Sequence, residues 1–345
     1  MTTSIEHLAL FNQIIRLSRV LEAKLMQELL KQGFDGLTMS FADPMMIITL
    51  GPVRMNELAD ELGMSKQLCN QSLKPLEQLN LIQRLPDPED GRAKLVSLTA
   101  RGEELALAAQ AIIAQLQDQI TDIIGQNNSR SLHTHLYKLA QHTNLRVNEL
   151  VPTTGIISLL SRYTQRELMR LTMQQGFGFL QLSYSQVLNY ISPQQTAHIS
   201  LSELAQINHI SLQAISRISR ELEHNQVITK THSSIDKRVK VIQLTELGEK
   251  LYESSIRSAQ ILYTHYENAI GNSYLASLTQ QLIAINQHAD ILINVKISEN
   301  DERSHTAHSL TVQRVAHLLK QANSKKLDTL AANELKQLQQ LLIKL

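Results

Sequence analysis

The sequence predicts a mostly α-helical fold with two small β-hairpins, built from one unit that occurs twice. Residues 55–105 match residues 201–251 without a gap at an offset of 146, and such an internal repeat sets the architecture before local patterns do. The composition is 43% hydrophobic but only 4% aromatic, with seven Pro and twelve Gly, which favours a Leu- and Ile-rich helical protein. Long stretches with apolar residues at helical spacing flank both copies.

Short motifs carry the repeat, and they recur in the same order in both copies. They are Glu57-Leu58-Ala59 with Glu203-Leu204-Ala205, Ser65 with Ser211, Leu76-Glu77 with Leu222-Glu223, Asp90-x-Arg92-x-Lys94 with Asp236-x-Arg238-x-Lys240, and Leu98-Thr99-x-x-Gly102 with Leu244-Thr245-x-x-Gly248.

The composition also limits the class of protein. A single cysteine, Cys69, excludes an intramolecular disulfide framework and favours a reducing compartment. No apolar run is long enough to span a bilayer, and the first residues lack a signal-peptide pattern. We therefore expect a cytoplasmic location. The sequence contains no nucleophile–base set, phosphate-binding loop or ligand-spaced metal cluster, so we expect neither an enzyme nor a cofactor.

Each copy opens with a long helix. Apolar residues at helical spacing predict the first over Leu8–Leu25 and the second over Ile156–Met173. These opening helices align at an offset of 143, with Leu17-Ser18-Arg19 matching Leu160-Ser161-Arg162, whereas the units that follow align at 146. The change indicates a three-residue insertion near 192–199 of the second copy, in a loop between helices. Residues 151–155, with Pro152, form a short joint between the copies.

A helix-turn-helix pattern follows. Residues 55–62 form one amphipathic helix, Gly63 permits a left-handed stop, and Ser65 is placed to cap the next helix. The second copy repeats the design with Ser211 as the cap. The second helices of the two pairs are predicted over 66–79 and 212–225. We expect Cys69 in the inward row, as a small buried hydrophobe rather than a redox sensor.

Polar residues occupy the opposite face of both second helices. Gln and Asn can bond adenine bidentately, and Arg and Lys can bond guanine in the same way. Because this face recurs behind a serine cap, DNA contact is favoured over a merely solvated helix face. The candidate contacts, with the capping serines, are Ser65, Gln67, Asn70, Gln71 and Lys74 in the first copy and Ser211, Gln213, Ser216, Arg217 and Arg220 in the second.

A β-hairpin comes next, predicted over 81–84 and 94–98 in the first copy and over 227–230 and 240–244 in the second. Its basic residues are candidates for a neighbouring minor groove or phosphates, and Asp90 and Asp236 are expected to orient the arginines. Replacing Arg238 by Ala is expected to weaken DNA affinity and its salt dependence. The candidate hairpin contacts are Arg92, Lys94, Lys237, Arg238 and Lys240.

Helices complete the chain. Thr99 and Thr245 are placed to cap long amphipathic helices, and further helices are predicted near 129–150 and 272–295. A polar stretch precedes a last helical pair near 306–321 and 327–345. The histidines His305 and His308 share a helix face there, but surface histidines explain them better than a metal site.

The ordered set of motifs resembles the MarR family of winged-helix transcription regulators, over roughly residues 5–298. The resemblance implies a mostly α fold with small β-wings: two winged helix-turn-helix domains plus a shared, dimerisation-like bundle of long helices. The family works as homodimers with interleaved first and last helices, so this chain resembles a fused pseudo-dimer. The expected domains are repeats at 1–150 and 151–298 and a C-terminal helical extension at 299–345.

The resemblance also implies a small-molecule effector pocket between the dimerisation helices and a winged domain. Core packing explains equally well the aromatic residues that are candidates to line it, namely Tyr163, Phe179, Tyr184 and Tyr190.

The two copies depart from the family and from each other. Asn80 and Gln226 stand where the family usually has Gly, and Pro75 lies inside the first recognition helix. Over residues 55–95 there are five Lys/Arg against seven Asp/Glu, a net charge of −2, whereas residues 201–241 have six against four, a net charge of +2. Because the two faces differ, we expect an asymmetric operator.

The expected function is sequence-specific binding of double-stranded DNA by a transcription regulator. One chain would act as the pseudo-dimer, with its recognition helices in major grooves about one helical turn, ~34–36 Å, apart. The alternative is a tandem winged-helix module that binds a protein, with weak or one-sided DNA binding. The acidic first copy is the best argument for that alternative.

Overall fold

The computed structural model describes residues 2–62, 64–88, 90, 93–145, 147, 151–193, 199–207, 211–232, 240–289 and 292, without the side chains of 2–7, 207, 232 and 240. In these ranges the chain is mostly helical, as the sequence predicts. The helices are α1 (Thr2–Lys31), α2 (Ala42–Thr49), α3 (Met55–Leu62), α4 (Lys66–Gln78), α5 (Ala100–Ile124), α6 (Gln126–His142), α7 (Thr153–Met173), α8 (Ser185–Leu188), α9 (Leu201–Ile207), α10 (Leu212–His224), α11 (Glu246–Ile270) and α12 (Asn272–Gln287).

Two small antiparallel sheets form the wings. The first has the strand order β1-β3-β2 and the second pairs β4 with β5. In the register, Arg84 lies opposite Val96 and Lys230 lies opposite Ile242. The strands are β1 (Val53–Arg54), β2 (Ile82–Pro86), β3 (Lys94–Leu98), β4 (Ile228–His232) and β5 (Lys240–Leu244).

The predicted fold class is confirmed, with shifts at several boundaries. Helix α7 begins at Thr153 rather than at Ile156, and α6, predicted near 129–150, begins at Gln126 and ends at His142. The two recognition helices, α4 and α10, each end one residue before the predicted end. The sequence analysis did not predict β1, which pairs Val53 with Val96, nor the isolated bridge between Ser200 and Val241 at the matching place.

A glycine fixes the junction between each wing and the long helix that follows it. Thr99 caps α5 and Thr245 caps α11, each hydroxyl accepting from a glycine N–H at 3.1 Å. A Cβ on Gly102 would lie 2.0 Å from the carbonyl oxygen of Leu81, and one on Gly248 would lie 2.1 Å from that of Val227. The Leu-Thr-x-x-Gly motif therefore combines a helix cap with a close backbone approach.

The contacts divide the chain into two units. The first is built from residues 1–18, 130–147 and 155–286, and the second mainly from residues 19–129. The first unit therefore joins parts of α1 and α6, from the first repeat, to the long helices of the second. In its core the rings of Phe11 and Tyr266 meet edge to face at 5.5 Å. The Tyr266 hydroxyl lies 2.9 Å from Thr164 Oγ1.

Within the described residues, no helix is both long enough and apolar enough to cross a membrane.

Candidate nucleic-acid interface

Both recognition helices begin with the predicted serine cap. Ser65 and Ser211 have extended backbone, and each hydroxyl accepts from the backbone N–H three residues on, at 3.2 Å. Such a cap satisfies one of the amide groups that a helix N-terminus leaves unpaired. The two helices therefore start at matching points, and their outward faces can be compared residue by residue.

In α4 the inward row is buried and most of the outward row is exposed. Cys69, Leu73 and Leu76 are fully buried, as predicted. Burial raises the pKa of the Cys69 thiol, although the nearby Arg84 opposes this, so the thiol is poorly suited to redox sensing. Gln67, Gln71 and Lys74 are exposed on the other face.

The fourth member of this row, Asn70, is only half-exposed and contacts the wing. Arg84 Nη2, on β2, donates to Asn70 Oδ1 at 2.7 Å, and Arg84 Nε donates to Glu77 Oε1. Asn70 is therefore partly covered by the wing, and its contact with DNA stays a prediction. Its carbonyl is engaged within the domain, which the helical spacing could not indicate because its partner lies 14 residues away.

In α10 the outward row carries two arginines. Ile215, Ile218 and Leu222 are buried in the core of the second winged domain. Arg217 and Arg220 are exposed, and Arg220 Nε reaches back to its own helix, donating to the carbonyl of Ser216 at 3.4 Å. The other two candidates in this row are Gln213, which is exposed, and Ser216, which is half-exposed.

An open cleft of about 390 Å³ lies beside α10 in the second winged domain. Tyr184 lies in its wall with its hydroxyl hydrogen-bonded to Glu221, and burial together with that carboxylate raises the pKa of Tyr184. Of the four aromatic candidates for an effector pocket, Tyr184 borders this cleft but is buried in the core of the second winged domain, and Phe179 and Tyr190 pack against the same core. The residues that line the cleft are Gln181, Tyr184, Arg217, Arg220, Glu221, His224 and Asn225.

The turns after the recognition helices use the left-handed conformation that the sequence suggested. Asn80 has φ 56° and Gln226 has φ 57°. Asn adopts this region more readily than Gln does. Pro75 lies inside α4, as predicted, and the helix continues past it to Gln78.

Only part of the basic wing surface falls within the described residues. Lys94 begins β3 with an exposed side chain, and Lys240 begins β5. The other three candidates, Arg92, Lys237 and Arg238, lie outside the described residues, as do Asp236, His305, His308 and the extension at 299–345. No group of His, Cys, Asp or Glu suited to a metal ion was found among the residues that are described.

The structure adds an ion pair that the sequence analysis missed. Arg54 Nε, on β1, donates to Asp87 Oδ2 at 2.6 Å, and Asp87 is almost fully buried at the end of β2. The pair joins β1 to the residue that directly follows β2. It spans 33 residues, so no local pattern could have predicted it.

Comparisons with known proteins find similar sequences for both repeats. Family models described as "MarR family" match residues 45–93 and residues 191–240. An uncharacterised HTH-type transcriptional regulator of Bacillus subtilis, YxaD, is 37% identical over 60 residues, which is 17% of this chain and 42% of that protein. The matched segment thus spans less than half the length of this relative.

Two solved structures also align with the chain. The YusO protein from Bacillus subtilis is 19% identical, covers 40% of this chain and 91% of its own, and gives a TM-score of 0.28. The transcriptional regulator Tm0710 from Thermotoga maritima is 15% identical, covers 42% of this chain and 99% of its own, and gives a TM-score of 0.32. Each repeat thus contains a segment that a MarR family model matches.

Proposed function

We propose that this protein is a transcription regulator that binds double-stranded DNA in a sequence-specific manner. Helices α4 and α10 would enter major grooves, and the wings near Arg92 and Arg238 would reach flanking grooves or phosphates. The observation that carries the proposal is the serine-capped helix with an exposed polar row, present twice at matching positions. Such rows suit base edges, which present donor and acceptor pairs in the major groove.

The two faces would not contribute equally to DNA affinity. Arg217 and Arg220 put two exposed positive charges on α10, whereas the matching positions on α4 are Gln71 and Lys74. Phosphate neutralisation supplies much of the affinity of DNA-binding proteins. We therefore propose that the second repeat provides the stronger DNA contact and that the operator is asymmetric.

We further propose that one chain replaces the usual pair of subunits. Contacts within the first unit support this, because α1 of the first repeat packs with long helices of the second. Asn286 Nδ2, on α12, donates to the carbonyl of Gln13 at 3.0 Å and to its Oε1 at 2.8 Å. Among the described residues, the first and last long helices therefore meet, which is the arrangement that the resemblance implies for the first and last helices of two subunits in a family dimer.

A protein partner remains the second candidate for the first repeat. Its segment 55–95 has the net charge of −2, and the Asn70 carbonyl is occupied by Arg84. In that case the second repeat alone would bind DNA, and the preferred site would be one half-site long.

Selection from random duplex DNA tests both parts of the proposal. The full-length chain should enrich a site with two unlike half-sites about one helical turn apart. The mass of the complex with that duplex should correspond to one chain per duplex. Failure to enrich any sequence would overturn the regulator proposal. A perfectly symmetric site bound by two chains would overturn the pseudo-dimer.

A further inference from the structure

Two leucines are exposed at the start of the recognition helices, next to the polar rows. Leu68 in α4 is 53% exposed, and Leu212 in α10 is 51% exposed. Leu68 directly follows Gln67, and Leu212 directly precedes Gln213. Both leucines belong to the first turn after the serine cap.

The position of these leucines is informative, whereas their exposure alone is not, since single exposed leucines are common on protein surfaces. The N-terminal residues of a recognition helix are those that reach base edges in the major groove. The C5-methyl group of thymine is an apolar group at those edges, and apolar side chains recognise it by contact. An exposed leucine at the start of a recognition helix is therefore suited to contact the methyl group of a thymine.

We propose that Leu68 and Leu212 are specificity-determining residues, each contacting a thymine methyl group in its own half-site. The inference rests on the proposed function, because it assumes that α4 and α10 enter major grooves. It extends that function by naming a base and a chemical group that the polar rows do not read.

The two leucines lie at different distances from their capping serines, so they would contact different base positions in the two half-sites. Leu68 is the third residue after its cap, where the second repeat has Ala214, and Leu212 is the first, where the first repeat has Lys66. A shift of two residues along a helix corresponds to roughly 200° of rotation and about 3 Å of rise. The thymine that each helix recognises therefore lies at a different place in each half-site.

Both positions can be tested without disturbing the fold. The Leu68 N–H bonds Ser65 through the backbone, so alanine keeps this interaction. Alanine also has the best helix propensity. Leu68→Ala and Leu212→Ala should therefore keep the wild-type melting temperature. Leu30→Ala is the matched control, because Leu30 is 59% exposed and belongs to α1 rather than to a recognition helix.

The decisive experiment replaces each thymine by uracil, one at a time, in the duplex that the wild-type chain selects. Uracil keeps the pairing and removes only the methyl group. We expect one replacement in each half-site to weaken wild-type binding about fourfold. This factor corresponds to the free energy gained by burying one methylene-sized apolar group. Leu68→Ala should remove this sensitivity in one half-site and Leu212→Ala in the other. Leu30→Ala should keep both.

The outcomes separate the inference from the function on which it rests. If no duplex is selected at all, the proposed function fails first. If a duplex is selected but uracil has no effect at any position, the function stands and the methyl contacts are wrong. Uracil sensitivity that persists in both alanine variants would also overturn the assignment, because another group would then contact the methyl.

Discussion

Lys230 Nζ lies 2.9 Å from Glu223 Oε2, joining the wing strand β4 to the recognition helix α10. The first repeat makes the same connection with Arg84 and Glu77, at matching positions on β2 and α4. The Leu-Glu motif that helps to define the repeat is therefore explained: the leucine is buried in the core, and the glutamate holds the wing against the helix. The wing and the helix would then approach DNA as one rigid surface.

We predict that Glu223→Ala destabilises the second winged domain. The Lys230 side chain is only 12% exposed, so its ammonium would lose a partner in a mostly covered place. The expected loss in the free energy of unfolding is about 1–2 kcal/mol. Urea denaturation measures it. Glu104→Ala, at an exposed position on α5, is the control and should change stability by less than about 0.5 kcal/mol. Equal effects of the two substitutions would contradict the role of the pair.

We predict that Gly102→Ala and Gly248→Ala are strongly destabilising. The added Cβ atom would lie 2.0 Å from the carbonyl oxygen of Leu81 in the first case and 2.1 Å from that of Val227 in the second. Because both clashes are with backbone atoms, a side-chain movement cannot relieve them. The expected cost is about 3 kcal/mol for each. Gly178→Ala is the control, because a Cβ there has nothing within 4 Å. This control should leave the free energy of unfolding within about 1 kcal/mol of the wild type. Wild-type stability of Gly102→Ala would disprove the close approach.

We predict an acid-sensitive contribution to stability from Glu28 on α1. Its carboxylate is almost buried and lies 2.6 Å from the Nζ of Lys24 and 2.8 Å from that of Lys31. Burial raises the pKa of Glu28, but the hydrogen bonds and charges of the two lysines outweigh it, so the net pKa lies below 4.5. The folded state therefore binds this proton less readily than the unfolded state does.

The sign of the pH dependence follows from this lowered pKa. Above the unfolded pKa of about 4.5 the stabilisation is fully present, and it is lost as the pH falls through the lower, folded pKa. Thermal melts at a series of pH values should show a smaller loss on acidification for Glu28→Gln than for the wild type. At neutral pH, Glu28→Ala should cost about 1–3 kcal/mol, because it removes the carboxylate that pairs with the buried Lys24 ammonium. Parallel pH profiles of wild type and Glu28→Gln would contradict this account.

Features set by local patterns could be predicted from the sequence. Ser65, Ser211, Thr99 and Thr245 cap helices as predicted, because a cap depends on residues only three positions apart. The inward and outward rows of α4 and α10 follow from helical periodicity in the same way. The left-handed turn at Asn80 also agrees with its residue type.

Features that depend on distant partners could not be predicted. Strand β1 has two residues and exists only through its pairing with β3. The contact of Asn70 with Arg84 removes one carbonyl from the predicted DNA-reading row, although the helical spacing of Asn70 is that of an outward residue. At the matching position the second repeat has Ser216, whose side chain is shorter and carries no amide group.

The most direct test of the central claim is the salt dependence of DNA binding by the intact chain. On the selected duplex, the logarithm of affinity should fall linearly with the logarithm of salt concentration, with a slope of roughly −0.9 for each phosphate neutralised. Because Arg217 and Arg220 are exposed on α10, their joint replacement by Ala should make this slope shallower by about two. The control Arg170→Ala, an exposed arginine on α7, should keep the wild-type slope. A slope that the double substitution leaves unchanged would contradict the proposal that α10 contacts DNA.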